Sequence, residues 1–347
     1  MTNNEVRKDY LLNRWVVIAQ ERKKRPVDFI KNKLTEKQGV CPFCPDNEHM
    51  TPPAVLTYLV SDRGLKKVKD GYNLCHKNWT VRVVPNAYPA FSPPDEKTLL
   101  TETAVLKNAV GHHEVVIESP CHDEHPGTAR VSQLVHVINA YLDRLTAFSR
   151  NSYVKHVTIF RNHGREAGAS LSHAHSQLIA TPFIPRILEE ELAASKSFWA
   201  QNNECLLCDV LKKENDGPRF IWENPSFVVF APWASVNPFE FWVLPKHHQS
   251  NMLAMSGREI QDLAEVMRVC LGALRSLLND PPYNFGFHTL LKDDAEDRYH
   301  WHLEVYPRLT IWAGFEKSTG MFINTVSPED AAKELGRAFK AEQNFLR

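Results

Sequence analysis

Apolar positions recur along this chain with two periods. Over 129–148, Val131, Leu134, Val135, Ile138, Leu142 and Leu145 return every three or four residues. Over 258–278, Ile260, Leu263, Val266, Met267, Cys270, Leu274 and Leu277 do the same. That spacing puts each set on one helical face, so both stretches predict long amphipathic helices. Elsewhere the pattern is that of strands. His113–His122 and Phe239–His248 each read as a strand running into a histidine, and 153–160 and 283–291 are β-rich. His173-Ala174-His175-Ser176-Gln177 and His300-Trp301-His302-Leu303-Glu304 alternate polar with apolar, as strands with one functional face do. A helix is expected near 185–198, and Ser327-Pro328-Glu329 caps a last one running to about 343.

These elements come twice, in one order. Cys41-Pro42-Phe43-Cys44 opens the first series and Cys205-Leu206-Leu207-Cys208 the second. A single CxxC is redox-active, metal-binding or incidental, but two at matching places suggest a repeated unit. His122 and His173 lie 51 residues apart, His248 and His300 lie 52 apart, and Glu114 and Glu240 each precede their histidine by eight. The extra length of the first series falls in 85–112, and loop insertions are cheap. The reading is an α+β fold of two duplicated units, 1–195 and 196–347, each an antiparallel sheet with a long helix.

Composition narrows the chemistry. A chain of 347 residues suits two domains, and 43% hydrophobic with 24% charged residues excludes wholesale disorder. Lys plus Arg and Asp plus Glu are both 41, so no basic excess points to nucleic acid or an anionic membrane. Residues 1–20 show no signal-peptide run and no stretch reaches membrane-span length. A reducing cytoplasm is expected, and there sixteen His and seven Cys suggest metal or chemistry rather than disulfides.

Two Cys₂His₂ sets can be assembled: Cys41, Cys44, His122 and His173, then Cys205, Cys208, His248 and His300. Such a shell is full when zinc occupies it, so two structural zinc sites per chain are expected. Cys75, Cys121 and Cys270 lack matching partners, although Cys121 adjoins His122 and competes as a ligand. His175 stands apart. It shares a strand face with His173 and Gln177 and follows Asn162-His163-Gly164-Arg165-Glu166-Ala167-Gly168-Ala169-Ser170, a loop able to offer N–H and hydroxyl donors to a phosphate. An imidazole held in one tautomer there would attack phosphorus. The alternative is a third metal ligand or a hydrogen-bonded sheet histidine. His302 has no comparable loop before it.

These motifs resemble those of galactose-1-phosphate uridylyltransferases and their relatives in the histidine-triad superfamily, which are built from two histidine-triad-like units. The resemblance runs nearly the whole length, through Arg7-Lys8-Asp9, Trp15–Ala19, Arg22–Pro26, Cys41–Cys44, Val84-Pro85-Asn86, Asn162, Gly164, Ser170, the His-x-His-x-Gln of 173–177, Gly314-Phe315-Glu316 and Ile323-Asn324. It implies ping-pong transfer of UMP from UDP-glucose to galactose 1-phosphate through uridylyl-His175. Gln177 would hydrogen-bond a phosphoryl oxygen, assisted by Asn162 and Ser170. Asn86 would meet the nucleoside, Arg22 and Arg25 the incoming phosphate, and Glu316 beside Phe315 the hexose hydroxyls. The alternative for Arg22 and Arg25 is a solvated basic run with Lys23 and Lys24. A homodimer is implied as well.

The chain departs from the best-known uridylyltransferases at Ala87, where they have Asp, and at Ala169, where they have Cys. Of a second metal set seen in some members, Glu191, His288 and His302 match but Glu304 replaces the fourth ligand. Relatives such as plant ADP-glucose phosphorylase use a second Cys pair, which Cys205 and Cys208 resemble. An adenylyltransferase or phosphorylase acting on ADP-glucose or a dinucleoside polyphosphate is therefore the alternative of like chemistry. A zinc-stabilised nucleotide- or RNA-binding protein is the alternative of another class, and zero net charge speaks against it.

Overall fold

The computed structural model describes residues 4–24, 39–61, 64–71, 74–95, 108–291 and 298–346. Its first part runs β1 (Glu5–Lys8), β2 (Trp15–Ile18), β3 (Leu56–Ser61), β4 (Gly64–Val68), β5 (Trp79–Pro85), β6 (His112–Ile117), α1 (Val131–Ser149), β7 (His156–His163), β8 (His175–Thr181) and α2 (Arg186–Asn202). The remainder runs α3 (Leu206–Glu214), β9 (Phe220–Glu223), β10 (Phe227–Phe230), β11 (Phe241–Pro245), α4 (Gly257–Leu278), β12 (Tyr283–His288), β13 (His302–Pro307), α5 (Gly314–Thr319), β14 (Phe322–Asn324) and α6 (Pro328–Leu346). Among the described residues no helix is long and apolar enough to cross a membrane.

The two amphipathic stretches form α1 and α4. A capping box starts α4: Ser256 Oγ accepts the Glu259 N–H, and Glu259 Oε2 accepts the Ser256 N–H at 2.7 Å. Asn279, at φ 56°, ends it.

The duplication appears as one continuous sheet in the order β4-β3-β5-β6-β8-β7-β12-β13-β11-β10-β9. Read inward from each side, β3-β5-β6-β8-β7 and β9-β10-β11-β13-β12 repeat one connectivity. The innermost strands, β7 and β12, pair antiparallel from Tyr283↔His163 to Phe287↔Ile159. Each unit thus covers the strand edge the other would expose. Ile159, Phe285 and Phe287 from this seam join Ile138, Leu145, Leu263 and Met267 of α1 and α4 in the main core. A small sheet, β1-β2-β14, ties the first described strands to the last, with β2 and β14 parallel.

Helices α1 and α4 cover one face of the continuous sheet, and α3 packs on the other, against Phe230 and Trp242. Ser176 Oγ meets Tyr141 of α1 at 2.7 Å, so alternation sends His175 and Gln177 to the opposite face. The strand expected over 173–177 begins only at His175. His173 and Ala174 precede it, although the Ala174 carbonyl still accepts from Glu118 N, its register partner just past β6, at 3.1 Å. In the second series β13 likewise starts at His302, and there the preceding Trp301 N donates outside the β11–β13 register, to the Gln249 carbonyl at 2.9 Å.

Close approach of the two units depends on Gly127, where an added Cβ would lie 2.8 Å from the Leu271 carbonyl carbon and oxygen on α4. Helix backbone cannot yield as a side chain can, so Gly127→Ala is expected to destabilise by about 1–3 kcal/mol. The reading is a lower urea midpoint at unchanged slope, and an unchanged midpoint would contradict the close packing.

Candidate active site and metal centres

The first Cys–His set converges between the Cys41–Cys44 turn, the loop after β6 and His173, two residues before β8. Its four ligand atoms lie within 4.8 Å of one another. Cys44 Sγ is 3.3 Å from His122 Nδ1, and Cys41 and Cys44 Sγ are each 3.6 Å from His173 Nδ1. Zn–S bonds of about 2.3 Å and Zn–N bonds of about 2.0–2.1 Å at tetrahedral angles place S and N about 3.6 Å apart, so the donors fit zinc. His173 Nε2 donates to the Ser119 carbonyl at 2.8 Å, which leaves the Nδ1 lone pair facing the sulfurs. Burial and the neighbouring Cys41 push the Cys44 thiol up to about 11, a cost that a cation between the sulfurs would reverse. Cys121 is exposed and outside this group.

The second set repeats the arrangement. Cys205 caps α3 and Cys208 sits in its first turn, with Cys208 Sγ 3.4 Å from His248 Nδ1 and 3.5 Å from His300 Nδ1. Those separations fit zinc equally well. A third group gathers Glu191 of α2 with His288, His302 and Glu304, all within the same 4.8 Å span. Here the side chains bind one another: His288 Nδ1 meets Glu191 Oε1 at 2.6 Å and Tyr299 donates to Glu191 Oε2 at 2.8 Å.

His175 is 6% exposed. Its Nδ1–H donates to the His173 carbonyl at 2.8 Å, which fixes the tautomer and leaves Nε2 with its lone pair. Burial, with Arg161 nearby, lowers its pKa and favours the neutral ring. Phe43, inside the Cys41–Cys44 turn, presents its ring edge-on at 5.3 Å. Behind the strand, Arg161 pairs with Glu118 and donates to the His175 carbonyl at 3.2 Å.

Other residues named from the sequence fall in different places. Gln177 and Asn86 both meet His113: Gln177 Oε1 is 2.8 Å and Asn86 Nδ2 is 3.1 Å from its Nε2. Asn162 lies one step past the Arg161↔Ser176 pair, across from His175, and its Oδ1 accepts from Asn284 Nδ2 at 2.8 Å. The 162–170 loop offers fewer free amides than its sequence suggests, because the Gly164 carbonyl takes the N–H groups of Ala167 and Ala169. Gly164 itself answers to packing: φ is +80°, and a Cβ there would lie 2.8 Å from Pro282 Cβ. Ser170 and Arg22 are exposed. Arg25 lies outside the described residues. Phe315 and Glu316 sit on α5, packed on β14; no hydrogen bond or ring contact among the described residues joins them to His175 or Gln177.

The second unit closes where the first opens. His302, matching His175, is fully buried, stacks on Trp242 at 5.2 Å, and spends Nε2 on Glu304 at 3.1 Å. Burial alone would raise Glu304, yet His288 and His302 bring it down to about 2. Sequence reasoning passed over His113, Phe43 and the Glu118–Arg161 pair. For His113 the signal was its phase: 113, 115 and 117 face as 175 and 177 do, once β6 is known to pair with β8.

Residues 1–185 match a family model described as the galactose-1-phosphate uridyl transferase N-terminal domain, and residues 123–344 match one described as a domain of unknown function. An ADP-glucose phosphorylase of Arabidopsis thaliana is 35% identical across 95% of this chain and 91% of its own length. A galactose-1-phosphate uridylyltransferase of Thermotoga maritima is 27% identical across 95% and 97%. The crystal structure of an ADP-glucose phosphorylase from Arabidopsis thaliana with bound ADP-glucose superposes with a TM-score of 0.82 at 33% identity, covering 96% of this chain and 99% of that one.

Elemental analysis of the purified protein should return close to two zinc per chain, falling by one in Cys44→Ser and by one in Cys205→Ser, each with a lower melting temperature. A value near one in the unsubstituted protein would remove one of the two centres.

Proposed function

The chain belongs to the galactose-1-phosphate uridylyltransferase family of nucleotidyltransferases, and from that premise we propose that it moves a nucleotide from a nucleoside-diphosphate hexose through a covalent bond to His175. The observation that carries this reading is the tautomer: with the His175 Nδ1–H bound to the His173 carbonyl, Nε2 is the free nucleophile. Nε2 attacks the α-phosphorus, and the bond to the hexose 1-phosphate oxygen breaks with its electrons on the departing phosphate. That group leaves as an anion and needs no proton. Nδ1 keeps its hydrogen, so the ring becomes positive as Nε2 bonds phosphorus, and the His173 carbonyl dipole stabilises that charge. An N–H of Gln177 donates to a phosphoryl oxygen. An acceptor phosphate oxygen then attacks the same phosphorus and returns His175 to its neutral form.

Zinc held by Cys41, Cys44, His122 and His173 would supply rigidity, fixing the carbonyl against which His175 is set. We read ADP-glucose as the donor, with a hexose 1-phosphate or inorganic phosphate as acceptor. The higher identity to an ADP-glucose phosphorylase supports this, as do Ala87 and the second Cys pair. UDP-glucose with galactose 1-phosphate is the second reading, favoured by the family model over 1–185. A cytoplasmic homodimer with zinc in both Cys–His sets completes the proposal.

Incubation with ADP-glucose, and separately with UDP-glucose, followed by intact mass measurement at alkaline pH, distinguishes them. An AMP adduct from ADP-glucose that His175→Ala abolishes is the expected result. A UMP adduct alone would transfer the proposal to uridylyl chemistry, and no adduct from either donor would overturn it.

A further inference from the structure

His113 stands between the two amides that face the reaction, Asn86 at the end of β5 and Gln177 on β8. The β6–β8 register sets Val115 across from Gln177 and His113 across from Ile179, which puts the His113 ring on the same face as His175. The backbone N–H of Ala90 is 3.1 Å from His113 Nδ1. An amide N–H only donates, so Nδ1 must carry its lone pair there. Burial lowers the His113 pKa, and the neutral ring then holds its one proton on Nε2. Among the described residues that proton has one acceptor in reach, Gln177 Oε1 at 2.8 Å.

The consequence is a fixed amide orientation at two places. Gln177 spends its oxygen on His113 and turns its NH₂ away from the ring. Asn86 spends Oδ1 on the Tyr88 N–H at 2.8 Å, and its Nδ2, 3.1 Å from His113 Nε2, faces an N–H with which it cannot bond. Both NH₂ groups are therefore left for a ligand rich in oxygen acceptors.

We propose that His113 is a positioning residue: its Nε2–H locks the Gln177 amide with the NH₂ side toward the phosphate attacked by His175, and leaves the Asn86 NH₂ to the nucleoside. This rests on the nucleotidyl-transfer reading of His175. Without His113, Gln177 would present NH₂ or C=O to the phosphate with nearly equal ease, and a carbonyl there repels the developing charge. His113 touches no reacting atom. Its effect passes through Gln177, which separates this role from simple support of the sheet.

The test is a double-mutant cycle read as the single-turnover rate of His175 adduct formation at saturating ADP-glucose, with UDP-glucose as parallel donor. His113→Leu should slow the step about 10–100-fold, somewhat less than loss of a whole donor to a developing oxyanion. In a Gln177→Ala background the same change should cost less than about 3-fold, because residues acting through one another are not additive. His113→Gln, whose amide offers an N–H at similar reach, should recover most of the rate. Equal losses in both backgrounds overturn the proposal, as does a His113→Gln variant as slow as His113→Leu. Should His113→Leu fail to fold, His113→Gln and His113→Glu decide it: an ionised carboxylate only accepts, so His113→Glu must turn the Gln177 amide over and slow the reaction, and a fast His113→Glu overturns the role. An unsubstituted protein that forms no adduct with either donor removes the functional reading itself, whereas adduct formation without coupling removes only His113.

Discussion

The His173 carbonyl is the atom on which the rest of the site depends. It accepts the Nδ1–H of His175 at 2.8 Å, while the side chain of the same residue faces two cysteines through Nδ1 and the Ser119 carbonyl through Nε2. One residue thus has its ring clamped from two directions and its backbone fixed as a consequence. The strand begins only after this clamp, at His175. A sheet histidine free to rotate would divide its time among tautomers and rotamers; here the backbone of its neighbour chooses both. Phe43 adds a second link, since it belongs to the turn that carries Cys41 and Cys44 and packs its ring against His175.

Duplication supplied that geometry twice, and a few substitutions made the copies unlike. His302 Nδ1 lies 3.2 Å from the His300 carbonyl, the same relation as in the first unit. At the position of Gln177, however, the second unit carries Glu304, which accepts from His302 Nε2 and from Tyr306. A carboxylate beside the ring occupies the lone-pair position that an attacking nitrogen needs, and Trp242 covers the ring from above. The second unit braces the sheet through β12, while the first keeps the open imidazole. A neutral amide beside His175 and an acid beside its twin account for much of that division.

Gln177, His113 and Asn162, which share the His175 face of β6, β7 and β8, are uncharged, and Asn86 is joined to them through His113. The charged groups nearby are paired with one another behind the strand, as Glu118 is with Arg161. A site built from oriented dipoles suits a reaction in which charge moves between oxygens, because dipoles need no counter-charge when the ligand leaves. It also agrees with a chain whose basic and acidic residues balance: on the proposed reading, phosphate would be met by local donors rather than by a field.

By itself the sequence determined the repeat, the fold class and the grouping of both Cys–His sets, because each is written as spacing. Helical periodicity marks α1 and α4, and the 51- and 52-residue intervals align the two series. Those signals are local or differ only by counting, so they survive without coordinates. Three matters were decided only in the folded chain. That the units share one sheet depends on β7 meeting β12, a pairing between residues more than a hundred positions apart which alternation alone does not choose. That the 162–170 loop spends amides on its own Gly164 carbonyl, and Gly164 on room for Pro282, follows from a turn geometry and a distant contact. That His113 reaches Gln177 and Asn86 follows from the β5–β6–β8 register, since a slip of one residue would send its ring to the helix face. Spacing names the residues able to do chemistry, but tautomer and amide orientation are set by hydrogen-bond partners, and those partners are chosen by tertiary pairing.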